Sequence, residues 1–196
     1  HCYKAYAPGG FSPDSYFQFT QAITGVYDDW HPVMHTLIAF KLPLMLSGGN
    51  FSFIAIFQIL WLSAAIGYAL SAVYKYTNLK YAVASLAFIV LNPRLGYIAL
   101  FVWKDIGFAI CALFLITFAL HIYMTKGAFI KCHLNTAVFI VFAVIATFIR
   151  HNGLLFTVPL VVAVLFYTTK KKGIVLTLSL LILCAAVRFP MYSALK

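Results

Sequence analysis

Apolar stretches separated by short polar or basic segments make up most of the chain. Six of them are candidate membrane spans, at about residues 51–73, 82–102, 106–124, 136–149, 154–168 and 174–190. A helix needs only about 20 apolar residues to cross the hydrocarbon core of a bilayer. The pattern therefore predicts an all-α, polytopic helical membrane protein.

Residues 1–50 differ from the rest because polar residues and turn signals are frequent there. Apolar residues at helical spacing over 14–26 predict a short interfacial helix, with Ser12 or Asp14 as its cap. Residues 31–46 are apolar but short for a span, and polar residues and a proline interrupt them. We therefore expect a large outer loop that bears two juxtamembrane helices.

The rest of the chain divides into a bundle and a short end. Residues 51–190 are expected to form a six-span transmembrane bundle, and residues 191–196 to begin a further outer segment. The chain starts at His1 and shows no signal peptide. We expect it to be a segment of a longer protein, with an earlier span before His1 and more chain after Lys196.

Composition excludes a soluble globular domain. The chain is 64% hydrophobic and 9% charged, against roughly 25% charged residues in soluble domains. Its 14 Lys+Arg against 4 Asp+Glu lie at the ends of apolar spans, which favours contact with anionic lipid heads over nucleic acid. The four cysteines show no CxxC spacing and indicate neither a disulfide framework nor a zinc site.

Lysines predict the orientation of the bundle. They cluster in three alternate connecting loops, as Lys75 with Lys80, Lys126 with Lys131, and Lys170 to Lys172. The positive-inside rule assigns these loops to the cytoplasm. All four carboxylates then map to the outer side, and they are Asp14, Asp28, Asp29 and Asp105.

Asp105 lies in the sequence FVWKDIGF, at the boundary between two apolar spans. Ionisable groups at that depth are costly unless they are paired or functional. The alternative is a helix-capping aspartate beside a lysine, Lys104, that snorkels to the lipid heads. Arg94 is ~16 Å away along a straight helix, too far for a direct pair, and is a candidate for lining a polar cavity.

Arg150, His151, Asn152 and Gly153 close a span on the same outer side. They offer a fixed cation, an imidazole and an amide, a set that suits a phosphate because the guanidinium binds oxyanions through a fork of donors. Anchoring of the arginine on lipid phosphates is the alternative.

Asp28, Asp29 and His31, with His35 one turn later, form a third candidate cluster. Two carboxylates and two imidazoles can bind a divalent cation, and His151 and Asn152 are further supporting candidates. The alternative is helix capping by one of the aspartates, with Pro32 in the first turn.

These motifs resemble those of a known enzyme class. The string YAPGGFSPDSYFQFTQAITGVYDDWHPVMHTLI resembles the first outer loop of GT-C glycosyltransferases, in particular bacterial members related to the protein O-mannosyltransferase and aminoarabinose transferase branch. Its acidic motif corresponds to Ser12-Pro13-Asp14-Ser15, and the motif that opens an apolar helix corresponds to Trp30-His31-Pro32. Pro93 followed by Trp103-Lys104-Asp105 resembles the second outer loop of that branch.

The resemblance implies a GT-C module that lacks its first span and uses a sugar carried on a polyprenyl phosphate. By its match to the first-loop aspartate, Asp14 is the candidate base. Asp105 is assigned to orientation or acceptor binding, and Lys104 and Arg150 to the donor phosphate. The acceptor, a glycan, lipid or protein, stays open, and a divalent metal ion is a candidate cofactor. The implied place of reaction is the outer face of the cell membrane.

Two other functional classes stay open at this point. In a lipid or solute transporter or flippase, the same outer charges form a gate or proton relay, although such groups usually lie near the midplane. A purely structural membrane subunit is the third possible class.

Overall fold

The computed structural model describes residue 7 and residues 9–28 and 30–193, and its regular structure there is helical. In chain order the helices are α1 (Pro13–Thr24), α2 (Val33–Leu46), α3 (Ser52–Tyr76), α4 (Leu79–Leu91), α5 (Pro93–Ile98), α6 (Lys104–Met124), α7 (His133–Phe148), α8 (Gly153–Leu165) and α9 (Lys170–Ser193). A 3₁₀ turn at Phe129–Lys131 precedes α7. The predicted helical fold class is confirmed.

Three helices in the described ranges are long and apolar enough to cross a membrane. They are Ser52–Tyr76, Lys104–Met124 and, within α9, Lys171–Met191. They match the predicted spans at 51–73, 106–124 and 174–190. Helices α4, α7 and α8 are apolar but have only 13, 16 and 13 residues. The six-span bundle therefore stays a prediction, and three membrane-length helices are what the fold shows.

The predicted span at 82–102 is not one helix. Helix α4 ends at Leu91, and Asn92 is extended. The side-chain oxygen of Asn92 accepts a hydrogen bond from the N–H of Arg94 at 3.1 Å. Pro93 then opens α5, because proline lacks an N–H and disfavours helical geometry in the residue before it. The chain reaches α6 through a turn at residues 99–103.

Helix α1 turns its polar face inward. Ser12 caps it by accepting the N–H of Ser15 at 3.2 Å, as one of the two predicted caps. Gly25, with φ of 71°, ends it in the left-handed conformation that glycine tolerates best. The buried residues of α1 are Ser15, Gln18, Gln21 and Ala22, and its exposed large side chains are Tyr16, Phe17 and Ile23. An outward apolar face is what an interfacial helix requires.

Helix α2 contains a widened turn. Residues Thr36–Lys41 form a π-helix, in which the N–H of Leu42 reaches the carbonyl of Leu37. Pro43 lies just beyond and has no N–H for the regular i to i−4 bond. The extra residue in the turn accommodates the proline ring, as π-bulges do elsewhere. The predicted second helix is therefore present but irregular, and its juxtamembrane place stays a prediction.

The main core lies among the long helices. Its fully buried side chains include Leu115 of α6, Phe139 of α7 and Ile149 directly after α7. A second, smaller core joins the first fifty residues to α3, with Phe40 and Ile54 fully buried. This second core attaches α1 and α2 to the bundle.

The loop lysines and the described carboxylates lie at opposite ends of the bundle. At one end Lys172 Nζ donates to the carbonyl of Lys131 at 3.4 Å, and the hydroxyl of Tyr76 lies 2.6 Å from His121 Nδ1. These contacts bring the three lysine loops together. Asp105 lies at the other end of α6, where it meets Arg150. We call the two ends the lysine end and the aspartate end.

Candidate functional site

A cavity of about 220 Å³ opens at the aspartate end. It lies where the first turn of α1 meets the first turn of α6, and we call it the aspartate cavity. Its lining residues are Asp14, Gln18, Trp103, Lys104 and Asp105. The structure therefore brings together three of the predicted site residues from parts of the chain about ninety positions apart.

Hydrogen bonds hold these two segments side by side. The buried hydroxyl of Ser15 donates to the carbonyl of Val102 at 2.9 Å. Gly10 donates to the carbonyl of Leu100 at 3.0 Å and accepts from Val102 N–H at 3.4 Å. A Cβ on Gly10 would lie 2.7 Å from the ring of Phe101, so only glycine permits this approach.

A buried polar network joins α1 to α2. Gln18 Nε2 donates to Thr36 Oγ1 at 3.2 Å, which leaves its Oε1 facing His35 Nδ1 at 3.0 Å. The hydrogen is therefore assigned to His35 Nδ1. His35 Nε2 faces Gly107 of α6 and the backbone of Trp103.

Burial keeps the histidines of this region neutral. His35 is fully buried, and burial, reinforced by Lys104 and His31, lowers its pKa to about 3. Burial also lowers the pKa of His31, against the opposing charges of Asp14 and Asp28. His31 is a predicted site residue, and it lies beside the aspartate cavity rather than in its lining.

Arg150 pairs with Asp105, a contact that sequence spacing does not reveal. Arg150 Nη2 lies 3.2 Å from Asp105 Oδ1, and its guanidinium lies over the ring of Phe108 at 5.8 Å. Both charged side chains are about half exposed, with 43% and 52% of their surface accessible. The pair therefore adds little to stability, and its importance lies in joining two predicted site residues. Arg94, a candidate for lining a polar cavity, does not line the aspartate cavity.

The candidate metal cluster has other contacts in the structure. Asp28 Oδ1 accepts from Gln21 Nε2 at 2.9 Å and from the N–H of Trp30 at 3.1 Å, so it stabilises the turn at Trp30. It does not cap the helix that begins at Val33, whose N-cap is Pro32 and which has no side-chain cap. Asp29 lies outside the described residues. Within the described ranges no three His, Cys, Asp or Glu side chains form a group that could hold a metal. The metal ion stays a prediction.

The three residues after Arg150 differ in exposure and in role. His151 and Asn152 are exposed, and Asn152 makes no side-chain cap to α8. A Cβ on Gly153 would collide with the carbonyl oxygens of Ala146 and Thr147. Gly153 therefore allows a close crossing of α7 and α8, a structural role that the phosphate interpretation of the tetrapeptide missed.

A larger opening exists at the lysine end. It measures about 520 Å³, and lysines from the two loops around α7 and α8 line it together with Phe166 and Tyr167. No carboxylate lies in its lining, so it lacks the base that hydroxyl activation requires. The aspartate cavity is the better candidate for chemistry.

Sequence reasoning missed Gln18, Ser15 and His35 as the framework of this cavity. The sequence does contain a relevant pattern. Polar residues recur at helical spacing over 15–21 and predict a polar face of α1 besides its apolar face. Which face is buried depends on what lies next to the helix, and periodicity alone does not contain that information.

Comparison with protein-family models, with curated proteins and with solved structures gives no match for this chain. The chemistry of the cavity and the organisation of the helices are therefore the basis on which a function is proposed.

Proposed function

We propose that this protein is a membrane glycosyltransferase of the GT-C type. It transfers a sugar from a polyprenyl-phosphate donor to an acceptor hydroxyl on the outer face of a multi-pass bundle in the cell membrane. The observation that supports it is the meeting of Asp14, Lys104 and Asp105 in one cavity at the end opposite the lysine loops.

The two aspartates have different surroundings, which supports different roles. Asp105 is ion-paired with Arg150, whereas Asp14 has no ion-pair partner among the described residues. A general base needs an accessible carboxylate within reach of the hydroxyl it deprotonates. Asp14 is exposed in the first turn of α1 and is the proposed base. Asp105 is proposed to orient the acceptor.

The transfer step is an inverting displacement. The acceptor hydroxyl loses its proton to the Asp14 carboxylate, and its oxygen forms a bond to the anomeric carbon of the sugar. The bond between that carbon and the phosphate oxygen breaks, and the phosphate takes the electron pair. Lys104 and Arg150 stabilise the charge that develops on the departing polyprenyl phosphate. Because phosphate is already a good leaving group, the step needs no general acid.

Charge and hydropathy support the membrane setting. Lysines at one end of the bundle and aspartates at the other fit the positive-inside rule, with the aspartate cavity outside. The outward aromatic face of α1 fits a helix at the level of the lipid heads. A polyprenyl chain in the bilayer could then present its phosphosugar to the cavity from the side.

The decisive experiment compares sugar transfer with lipid transport. Purified protein in detergent is given a synthetic polyprenyl-phosphate sugar and a mixture of acceptors, and the released polyprenyl phosphate is measured. In parallel, liposomes containing the protein are tested for movement of the intact lipid between leaflets. Release that depends on acceptor supports transfer. Movement of the intact lipid without release would instead make the protein a flippase.

A further inference from the structure

Two loops form the larger opening at the lysine end, which measures about 520 Å³ and which we call the lysine cavity. One loop joins α6 to α7, and the other joins α8 to α9. A Cβ on Gly127 would collide with the carbonyl oxygen of Tyr167, so glycine permits the two loops to approach this closely. The shape of the cavity therefore depends on a contact between residues about forty positions apart.

The charged groups in the lining of the lysine cavity are all positive. Lys126, Lys131 and Lys172 line it, and no carboxylate among the described residues does. No ion pair in the described ranges involves these lysines. Three like charges around one opening repel each other, and a bound anion would offset that repulsion. Thr169, which is exposed in the same lining, adds a hydroxyl group.

Lys126 has a backbone conformation that glycine normally supplies. Helix α6 ends in a Schellman motif, in which the N–H of Gly127 donates to the carbonyl of Ile122 at 2.8 Å. In the same motif the N–H of Lys126 donates to the carbonyl of Tyr123 at 3.0 Å. Lys126, with φ of 49°, occupies the left-handed position, where glycine is strongly preferred. Because a side chain makes that conformation costly, the backbone at this position does not favour a lysine.

The surroundings of the cavity favour a ligand at the membrane surface. Phe166 and Tyr167 line the opening and are exposed. Aromatic residues at the ends of membrane helices lie at the level of the lipid heads. The predicted orientation assigns the lysine end to the cytoplasm, where the leaflet carries anionic lipids. Basic pockets between transmembrane helices on that side bind anionic head groups.

We propose that the lysine cavity binds the phosphate head group of an anionic phospholipid, with Lys126, Lys131 and Lys172 as its ligands. A water molecule takes about 30 Å³ of liquid, so the opening has room for a phosphate and its glycerol. The transferase proposal assigns Lys104 and Arg150 to its donor, at the opposite end of the bundle. The inference therefore goes beyond the proposed function and requires only that the lysine end reaches a membrane surface.

The test is calorimetric titration of the purified protein, in a neutral detergent, with dihexanoyl phosphatidic acid. Dihexanoyl phosphatidylcholine is the matched lipid, because it has the same chains and glycerol but no net charge. The proposal expects saturable binding of phosphatidic acid and binding of phosphatidylcholine that is weaker by about tenfold or more. Equal affinities for the two lipids would overturn recognition of the charged head group.

Single lysine replacements locate the site. Lys131→Gln should weaken the binding of phosphatidic acid about tenfold, as loss of a charged hydrogen bond does. Lys80→Gln is the matched control, because Lys80 is an exposed lysine in the first turn of α4 and does not line the cavity. It should bind as the unmodified protein does. Equal losses in the two variants would reduce the effect to general charge and end the proposal.

Lys126→Asn separates a ligand from a helix cap. Asparagine tolerates the left-handed conformation better than lysine and has no charge. The variant should bind phosphatidic acid about tenfold more weakly, while its unfolding temperature without lipid stays equal to or above that of the unmodified protein. A lysine whose charge only stabilised the end of α6 would give the reverse. A lower unfolding temperature with unchanged binding would overturn the assignment of Lys126 as a ligand.

Inorganic phosphate identifies the source of the phosphate group. It has the charge of the head group without the glycerol and the acyl chains. The proposal expects it to compete much more weakly than phosphatidic acid. Equally strong competition would assign the lysine cavity to a soluble phosphate and overturn the lipid source.

Arg150→Gln tests whether phosphatidic acid binds at the aspartate end instead. This variant should keep the affinity of the unmodified protein, whereas a loss in Arg150→Gln without a loss in Lys131→Gln would overturn the proposal. The outcomes also separate this inference from the proposed function. Binding that depends on Lys131, without sugar transfer, would retain the lipid site and reject the transferase. Sugar transfer by a protein that does not bind phosphatidic acid would retain the transferase and reject the site.

Discussion

Individual residues at the aspartate end differ in how completely their contacts are satisfied. Asp105 and Arg150 neutralise each other at the surface, where a salt bridge is typically worth 0–1 kcal/mol. Gln18 Oε1 and His35 Nδ1 pair in the interior, where an unpaired polar group costs more. Replacements at the surface pair should therefore alter chemistry more than stability, and replacements in the buried network should alter both.

Asp14→Asn tests the base. Asparagine keeps the size and hydrogen-bonding shape of aspartate but cannot take a proton, so transfer should fall by roughly 10²–10⁴-fold. Donor affinity, measured by calorimetry, is the internal control and should be retained. Asp105→Asn should reduce transfer through poorer positioning of the acceptor. If both single variants transfer sugar at the unmodified rate, the proposed mechanism is wrong.

His35 should make stability depend on pH. In the folded protein its pKa is about 3, below the ordinary 6.5, so below pH 6.5 the unfolded chain binds a proton that the folded protein does not. Stability is therefore complete above pH 6.5 and falls with decreasing pH, by about 1.4 kcal/mol per unit until the folded pKa is reached. Thermal unfolding in detergent at pH 7.5 and pH 5 measures this.

Two variants isolate the contribution of His35. His35→Gln should reduce the difference between the two unfolding temperatures, and the residual slope reports His31, whose pKa shifts in the same direction. His133→Gln, exposed at the start of α7, should keep the original difference. An unchanged pH dependence in His35→Gln would assign the acid sensitivity to other groups.

At the scale of elements, contacts between helix ends, and not between helix middles, position the proposed site residues. Helices α1 and α6 meet at their N-terminal turns, and the start of α8 packs against the last turn of α7 beside the tetrapeptide that carries Arg150. Close approach at the crossing depends on Gly153, while hydroxyls of Thr147 and Thr157, 2.9 Å apart, link the two helices. The position of Arg150 is thus a consequence of helix packing.

Gly153→Ala tests this dependence on packing. The added methyl group would meet backbone oxygens of Ala146 and Thr147, which cannot rotate away as a side chain could. We expect destabilisation by about 1–3 kcal/mol and, because Arg150 would be displaced, weaker binding of the polyprenyl-phosphate donor. Gly67→Ala is the matched control, because its Cβ meets no atom within 4 Å. It should be neutral or stabilising by up to about 1 kcal/mol. Similar unfolding temperatures for the two variants would argue against the close crossing.

At the scale of the whole molecule, the separation of charge along the bundle predicts its orientation. Single cysteines in a background without native cysteines are suitable at exposed positions of both ends. Thr24→Cys and Asn152→Cys should react with an impermeant maleimide from outside, and Lys80→Cys and Lys171→Cys only after the membrane is permeabilised. Labelling of Thr24→Cys and Lys171→Cys from the same side would reject the topology and the outer site with it.

The sequence by itself determined the features that depend on neighbouring residues. Hydropathy predicted the membrane-length helices α3, α6 and α9, because a helix long and apolar enough to cross a membrane is recognisable from its own residues. The start of α1 was predicted with Ser12 or Asp14 as its cap, because a cap contacts the backbone only three residues away, and Ser12 is the one that caps it. Alternating lysine loops predicted which helix ends lie together, and Lys172 and Lys131 meet accordingly.

Only the tertiary structure decided which distant groups meet. Asp105 pairs with Arg150, and Gln18 with His35, because particular helix ends lie side by side. Helical spacing does not predict which helix ends lie side by side, since any of several basic residues could have faced Asp105. The break at Asn92, by contrast, has a local cause in Pro93, which the hydropathy of 82–102 did not reveal. Local chemistry determines where helices form, and the packing between them determines which charges share a cavity.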